Sequence, residues 1–172
     1  MFMYLQKNKK AFTLIELMVV VAIIGILALL GLRLYLNQQI RAKNAIAKAN
    51  AATVHTIIQG NLADDVFATA IAAVNAIGDM DGDDLEEGTG TNADQPSGMK
   101  NPHLTGDTNL VVSAIGETGT TMAAFETAAN ALEAATYAGA VVVGLGEIAN
   151  KFYIVALDHE ANVIQDIYVA QK

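Results

Sequence analysis

A long uncharged stretch near the start of the chain restricts what the protein can become more than any other feature. Between Leu17 and Leu32 there are 16 residues, mostly aliphatic, and none is charged. The wider range 12–36 has 25 residues, of which only Glu16 and Arg33 are charged. Because about 20 apolar helical residues span the hydrocarbon of a bilayer, the sequence predicts one transmembrane helix over residues 12–36.

The residues before this stretch are basic, in an order that differs from a secretory signal peptide. Such a signal has its cleavage site after the apolar segment, whereas here Lys9, Lys10 and the small residue Ala11 all precede it. Cleavage between Ala11 and Phe12 would keep the apolar helix in the product. A plain signal anchor is the simpler alternative, and basic residues on both sides of the helix leave its orientation open.

Glu16 is an unusual residue for a membrane helix. A charged side chain in a membrane helix costs about 2.5–3.5 kcal/mol at the centre of the bilayer and less near the interface. A partner of opposite charge usually offsets this cost. Cleavage before Phe12 would create such a partner, because an ammonium group at position 12 and a carboxylate at position 16 lie on the same side of a helix. Glu16 could pair with its own amine or with that of a neighbouring helix, or it could extend to the lipid headgroups.

This N-terminal region resembles that of the type IV prepilins and the related pseudopilins. The resemblance covers roughly the first fifty of the 172 residues, and its core is Lys9-Lys10-Ala11-Phe12-Thr13-Leu14-Ile15-Glu16 followed by the apolar helix. It implies that a prepilin peptidase cuts between Ala11 and Phe12 and methylates the new amino group of Phe12. It also implies that Glu16 pairs with the Phe12 amine of a neighbour and thereby sets the register of subunits during assembly.

The same resemblance implies where the protein works. The processed chain would wait in the inner membrane, with its C-terminal part outside the cytoplasm. An inner-membrane assembly platform and motor would then extract it into a helical filament of identical subunits outside the cell. The chain departs from most relatives in two places: Ala11 stands where they have glycine, and no proline interrupts residues 32–34. Local weakening of the helix would therefore depend on Gly25 and Gly31.

Composition limits the partners and the chemistry of the chain. The net charge is −8, and from Phe12 onward there are 7 basic and 18 acidic residues, which gives −11. An acidic surface repels phosphates, so we expect no direct binding of nucleic acid. The absence of cysteine excludes disulfides, thiolate metal sites and cysteine nucleophiles.

The rest of the sequence predicts an α+β fold made of a long N-terminal helix and a small head with an antiparallel sheet. After the leader at 1–11 and the membrane segment at 12–36, the helix should continue as an amphipathic segment over 37–60 and stop at Gly60-Asn61. Its apolar stripe should comprise Ile40, Ala47, Val54, Ile57 and Ile58. The side chains expected to face water or neighbouring subunits are Arg41, Lys43, Lys48 and Gln59.

The head is predicted over residues 61–172. Its expected elements are a helix at 65–77 capped by Asp64, an acidic loop at 78–95, a strand within 107–115, an alanine-rich helix at 120–137, a strand at 140–143 and an antiparallel hairpin at 152–170. In the alanine-rich helix, the residues expected to face inward are Met122, Phe125, Ala129, Leu132 and Ala135.

The acidic loop is a candidate calcium site. Calcium takes several oxygen ligands, and the loop offers six carboxylates: Asp79, Asp81, Asp83, Asp84, Glu86 and Glu87. The loop is not an EF-hand, because Gly82 is the fourth residue counted from Asp79, where that motif needs glycine at the sixth position. The alternative is a solvated loop whose charges repel one another.

No group of residues predicts catalysis, so we expect no enzyme and no cofactor other than calcium. Residues 141–149 imitate a dinucleotide fingerprint, but that motif needs a crossover helix after its glycines, and a strand is expected there instead. The three histidines, His55, His103 and His159, are scattered along the chain and suggest neither a triad nor a zinc site.

These observations together predict a structural subunit of a type IV pilus, which serves adhesion, motility or DNA uptake. The first alternative is a pseudopilin of a type II secretion system, whose filament stays short and periplasmic. An alternative from another class is a membrane-anchored binding module that uses the acidic loop.

Overall fold

The protein forms two compact units in the computed structural model, Met1–Gln39 and Ile40–Lys172. The structure describes residues 12–64, 67, 69–77, 89–91, 98–106, 108–116, 119–148, 150–164 and 166–172. The predicted leader at 1–11 therefore lies outside the described residues, as does most of the acidic loop.

One long helix, α1, runs from Leu14 to Asp64 over 51 residues. In the first unit every side chain from Phe12 to Gln39 is exposed, and by length and composition α1 could cross a membrane. The predicted stop at Gly60-Asn61 is wrong, because the helix passes through both residues. An interior glycine costs only about 1 kcal/mol relative to alanine, and the fully buried Leu62 anchors the last turn in the core.

Within the described residues, the second unit contains a five-stranded sheet with strand order β1-β2-β3-β4-β5. Only β2 and β3 pair in parallel, and the other neighbours are antiparallel. Parallel neighbours require a crossover connection, which two short helices, α3 and α4, supply. The strands are β1 (Thr89–Thr91), β2 (Leu110–Ala114), β3 (Val141–Leu145), β4 (Lys151–Ala156) and β5 (Tyr168–Gln171); the shorter helices are α2 (Ala70–Asn75), α3 (Met122–Asn130) and α4 (Ala134–Tyr137).

Both faces of this sheet are covered. Alternate residues of a strand point to opposite faces, and the three central valines of β3 show this directly. Val141 and Val143 join the cluster that contains Val54 and Ile58 of α1, whereas Val142 joins the cluster that contains Phe125 of α3. The unit is thus a helix–sheet–helix sandwich, and the predicted α+β class is confirmed.

The region between α1 and β2 differs from the prediction. Of the described residues in the expected helix at 65–77, only those of α2 are helical, and α1 extends to Asp64, the residue predicted as the cap of the next helix. The cap is Thr69, whose hydroxyl accepts from the Ala72 N–H over 3.1 Å. Part of the expected loop at 78–95 is a strand, since β1 pairs with β2.

The alanine-rich helix expected at 120–137 is two helices, α3 and α4. They are separated at residues 131–133. Just before this gap, at the last residue of α3, Asn130 Oδ1 accepts from the Val163 N–H over 2.9 Å. Phe125 and Ala129 face inward as predicted, whereas Met122 and Ala135 are exposed. The break changes which residues of α4 face the core. The prediction of one continuous inward-facing stripe over both segments is therefore wrong.

The C-terminal hairpin is present, but its second strand starts late. The bridge between Leu157 and Val163 closes the turn, and the ladder resumes only with Tyr168 opposite Ile154. The outer edge of β5 is covered by α1. Gln59, expected to face water or neighbouring subunits, instead donates to Gln171 O over 2.9 Å and accepts from Gln171 N over 3.0 Å.

Further along the same edge, His55 contacts Val169 O over 3.2 Å through Nε2. Its ring also stacks on Tyr168, with 5.3 Å between the ring centroids. An uncovered edge strand is a template for pairing with another chain. These side chains of α1 therefore act as a substitute for a sixth strand.

Candidate functional site

The candidate site is the start of α1, where Thr13 and Glu16 bond to each other in both directions. The Thr13 N–H and the Thr13 hydroxyl each donate to Glu16 Oε2 over 2.8 Å. In return, the Glu16 N–H donates to Thr13 Oγ1 over 3.3 Å. This is a capping box, which satisfies two of the backbone donors that every helix leaves unpaired at its N-terminus.

The geometry explains how an acidic residue is accommodated on an apolar helix. A carboxylate near a helix N-terminus is favoured by the helix dipole. Both bonds from Thr13 end on Glu16 Oε2, and each carboxylate oxygen can accept about two hydrogen bonds. Oxygen Oε1 therefore has capacity for an additional donor.

Phe12 and Glu16, the two predicted assembly residues, lie along one shallow groove. The other residues that line it are Ile15, Val19 and Val20. Phe12 is 86% exposed. Ala11, the predicted residue on the other side of the cleavage site, lies outside the described residues. A carboxylate set in an otherwise apolar groove suits an amine carried on an apolar helix.

Thr13 is the residue of the candidate site that was not predicted from the sequence. The signal was present, because Thr13-Leu14-Ile15-Glu16 has the Ser/Thr-x-x-Glu spacing of a capping box immediately before an apolar run. Glu16 was predicted only to pair with an ammonium group, and its interaction as a helix cap was not predicted.

The predicted calcium ligands, Asp79, Asp81, Asp83, Asp84, Glu86 and Glu87, all lie outside the described residues. Among the residues that are described, no group of three or more His, Asp or Glu side chains could hold a metal ion. Calcium binding by the acidic loop stays a prediction.

The glycines of the dinucleotide-like stretch have a packing role. A Cβ on Gly144 would collide with the ring of Phe125, and one on Gly146 would lie 2.9 Å from Lys151 O. The stretch leads from β3 into the antiparallel strand β4, not into a helix.

Two of the scattered histidines meet near the middle of α1. The rings of His103 and His159 lie 6.0 Å apart, and His103 Nε2 contacts Asn44 Oδ1 over 2.7 Å. Partial burial lowers the pKa of His103, as do the nearby charges of Lys43 and His159, whereas Asp158 acts in the opposite direction. The contact fastens the loop that carries His103 to α1.

The loop is held to the sheet by Asn101. Its amide nitrogen donates to Leu110 O over 2.6 Å and to Ala138 O over 2.8 Å. Its amide oxygen accepts from the N–H groups of His103 and Leu104 over 2.8 and 2.9 Å. Asn101 thus joins β2 to the end of α4, which is a structural role.

This chain is similar to known proteins over part of its length. The family model described as "Prokaryotic N-terminal methylation motif" matches residues 6–32. A segment of 49 residues is 49% identical to the type IV major pilin protein PilA of Myxococcus xanthus (strain DK1622), and it covers 28% of this chain and 22% of that protein. No solved structure matches the chain. The capped apolar helix and these matches together identify a type IV pilin-like N-terminal signal.

Proposed function

We propose that this chain, which begins with the N-terminal signal of the type IV pilins, is a structural subunit of a type IV pilus. The observation that supports this most directly is the position of Glu16, in the first turn of an apolar helix whose side chains are all exposed from Phe12 to Gln39. An exposed apolar surface of this extent has to be covered by lipid or by other helices.

Processing would create the partner of Glu16. A prepilin peptidase cuts between Ala11 and Phe12 and methylates the Phe12 amine. Thr13 keeps its amide N–H after this cut, so its two hydrogen bonds to Glu16 Oε2 persist. Oxygen Oε1 then accepts from the ammonium group of a neighbouring subunit, and the pair fixes the stagger between helices.

Assembly transfers the helix from lipid to protein. The processed subunit is held in the inner membrane by residues 12–36, with residues 61–172 outside the cytoplasm. A motor and an assembly platform extract it, and parallel helices of other copies replace the lipid around its apolar surface. Each unpaired charge carried into this filament core would be costly, which favours copies whose Glu16 carboxylate has found its ammonium partner.

The filament lies outside the cell and serves adhesion, motility or DNA uptake. With 18 acidic against 7 basic residues from Phe12 onward, the chain would not hold DNA by charge. We assign it no catalytic activity, since the protein that it resembles is described as a major pilin. That description also favours the pilus over a pseudopilin, whose filament would stay in the periplasm. If the acidic loop binds calcium, chelation should lower the thermal stability of the head.

Replacing Glu16 with alanine tests the assembly mechanism. We expect Glu16→Ala to insert in the membrane and to yield no surface filaments, because the incoming ammonium group loses its partner. The matched control is Glu147→Ala, which removes an exposed carboxylate from the second unit and should assemble normally. Filaments of Glu16→Ala at wild-type yield would show that the mechanism is wrong, as would a plain anchored protein that never assembles.

A further inference from the structure

Opposite charges lie on opposite layers of the second unit. On one side of the sheet, α1 carries Arg41, Lys43 and Lys48, and the sequence has no acidic residue from 17 to 63. On the other side, α3 and the start of α4 carry the exposed Glu126 and Glu133. There is no lysine or arginine from 101 to 150. We call the α1 side of the sheet the basic layer and the α3–α4 side the acidic layer, although Lys151 Nζ also lies on the latter side, 5.3 Å from the ring centroid of Tyr153.

The basic layer has a defined surface pocket. It is shallow, measures about 290 Å³, and is lined by Arg41, Asn44, Ala45, Lys48 and Ile164. Arg41 and Lys48 are seven residues apart, which is about two helical turns and places them on the same side of α1. Guanidinium and ammonium groups both donate charge-assisted hydrogen bonds to carboxylates, so the chemistry of this pocket suits an acidic partner.

Within the described part of the chain, neither cation has an ionic partner. The one contact within 4 Å there between a basic side chain and a carboxylate joins His159 and Glu160. Asp166 is exposed and follows the pocket residue Ile164 by two positions, but it makes no such pair with Arg41 or Lys48. No described residue therefore neutralises the positive charge of the pocket.

The acidic layer is attached to the core through α3. Phe125 and Ala129 of α3 pack into the core with Tyr153 of the sheet. That packing turns Glu126 to solvent, and Glu133 stands exposed at the N-cap of α4. The negative charge of these two side chains is complementary in sign to that of the Arg41–Lys48 pocket.

We infer that the Arg41–Lys48 pocket of one subunit binds the Glu126–Glu133 surface of a second copy of this chain. The inference rests on the proposed function, because it adds a second contact between subunits to that of Glu16. The two surfaces differ, so the contact is heterologous, and heterologous contacts that do not close into a ring generate open filaments. A contact between like surfaces would give a closed dimer instead.

A charge-swap experiment in cells tests this contact. Arg41→Glu/Lys48→Glu places acid on both layers, and Glu126→Lys/Glu133→Lys places base on both. We expect either variant alone to give at least tenfold fewer filaments than wild type, because like charges would meet. When the two variants are co-expressed, the acidic pocket of one can bind the basic α3–α4 surface of the other, and the basic pocket of the second can bind the acidic surface of the first. Filaments that contain both variants should therefore form. The control Lys100→Glu/Lys172→Glu makes the same change of charge outside the pocket and should assemble normally.

Thermal melting of each purified full-length variant in detergent checks that it folds. If a charge reversal prevents folding, the neutral variants Arg41→Gln/Lys48→Gln and Glu126→Gln/Glu133→Gln replace it, and the readout becomes filament disassembly with rising salt. The wild type should lose subunits as salt rises, and both neutral variants should show a weaker dependence on salt.

Three results would overturn the inference. They are wild-type filament yield from either reversed variant alone, failure of the mixture to recover filaments, and an unchanged dependence on salt in the neutral variants. If the pocket instead binds anionic lipid headgroups, Arg41→Glu/Lys48→Glu would lose binding to vesicles that contain phosphatidylglycerol, and the mixture would not recover. Any of these results leaves the proposed function standing as long as wild type assembles and Glu16→Ala does not.

Discussion

The backbone N–H and the hydroxyl of Thr13 donate to the same oxygen of Glu16, each over 2.8 Å. The acidic residue that would pair with a neighbour's amine is thereby also the cap of its own helix. The two bonds from Thr13 orient the carboxylate, so an incoming ammonium group would not have to order a mobile side chain.

Replacing Thr13 tests this orientation. Thr13→Ala removes the hydroxyl and should destabilise the helix start by about 1 kcal/mol, the usual cost of a lost N-cap. Filament yield should fall with it, whereas Thr13→Ser keeps the hydroxyl and should resemble wild type. Amide hydrogen exchange at residues 14–17, alongside the yield of sheared filaments, measures both effects. Equal behaviour of the alanine and serine variants would argue against any role for the hydroxyl.

Asn101 should be the polar residue to which the second unit is most sensitive. Asn101→Ala removes four hydrogen bonds around one buried amide. We expect a loss of about 3 kcal/mol, because each buried group left unsatisfied costs about 1–3 kcal/mol. Asn162→Ala is the control, since that exposed side chain donates only to Glu160 over 3.4 Å. Urea unfolding that showed equal losses for both variants would contradict the assignment.

Gly144 is predicted to tolerate no side chain. The Cβ of Gly144→Ala would collide with Phe125, and overpacking of this kind typically costs about 1–3 kcal/mol. Gly60→Ala should have the opposite effect, a gain of about 1 kcal/mol, because nothing lies within 4 Å of its Cβ position and alanine favours a helix. Thermal melting of both variants tests these two predictions. An unchanged melting temperature of Gly144→Ala would mean that Phe125 is free to move aside.

Stability should decrease when the pH falls below the ordinary pKa of histidine. The pKa of His103 is lowered from 6.5 in the fold, chiefly by burial and then by Lys43 and His159. The unfolded chain therefore binds the proton first as the pH drops, which destabilises the fold from about pH 6.5 downward and levels off below the folded-state pKa. The melting temperatures of wild type and His103→Gln should converge or cross between pH 7.5 and 5. Parallel curves would contradict this contribution.

Whether an element can be predicted from the sequence depends on how far along the chain the residues that stabilise it lie. The apolar helix, β2 and the strands of the C-terminal hairpin are visible because each contains a run of apolar or β-branched residues. The three residues of β1 are not visible, because Thr89 and its neighbours depend on pairing with Ser113 and the residues around it. The gap between α3 and α4 lies in an alanine-rich sequence without glycine or proline to mark it.

The polar residues of the structure also differ in whether the local sequence predicts them. Glu16 can be found from its contrast with the apolar residues around it, and Thr13 could have been found from its spacing. Asn101 could not, because its partners Leu110 and Ala138 lie 9 and 37 residues away. The pairing of His103 with Asn44, 59 residues apart, was equally hidden.

The measurement that tests the central claim most directly is the intact mass of protein sheared from the cell surface. If the chain is a pilus subunit, an abundant species should begin at Phe12, lack residues 1–11 and carry one added methyl group. That result would establish cleavage, export and polymer formation together. Full-length chain found only in the membrane fraction would contradict the account and identify a plain membrane anchor. A processed form confined to the membrane would exclude the surface filament and favour a pseudopilin or a minor pilin.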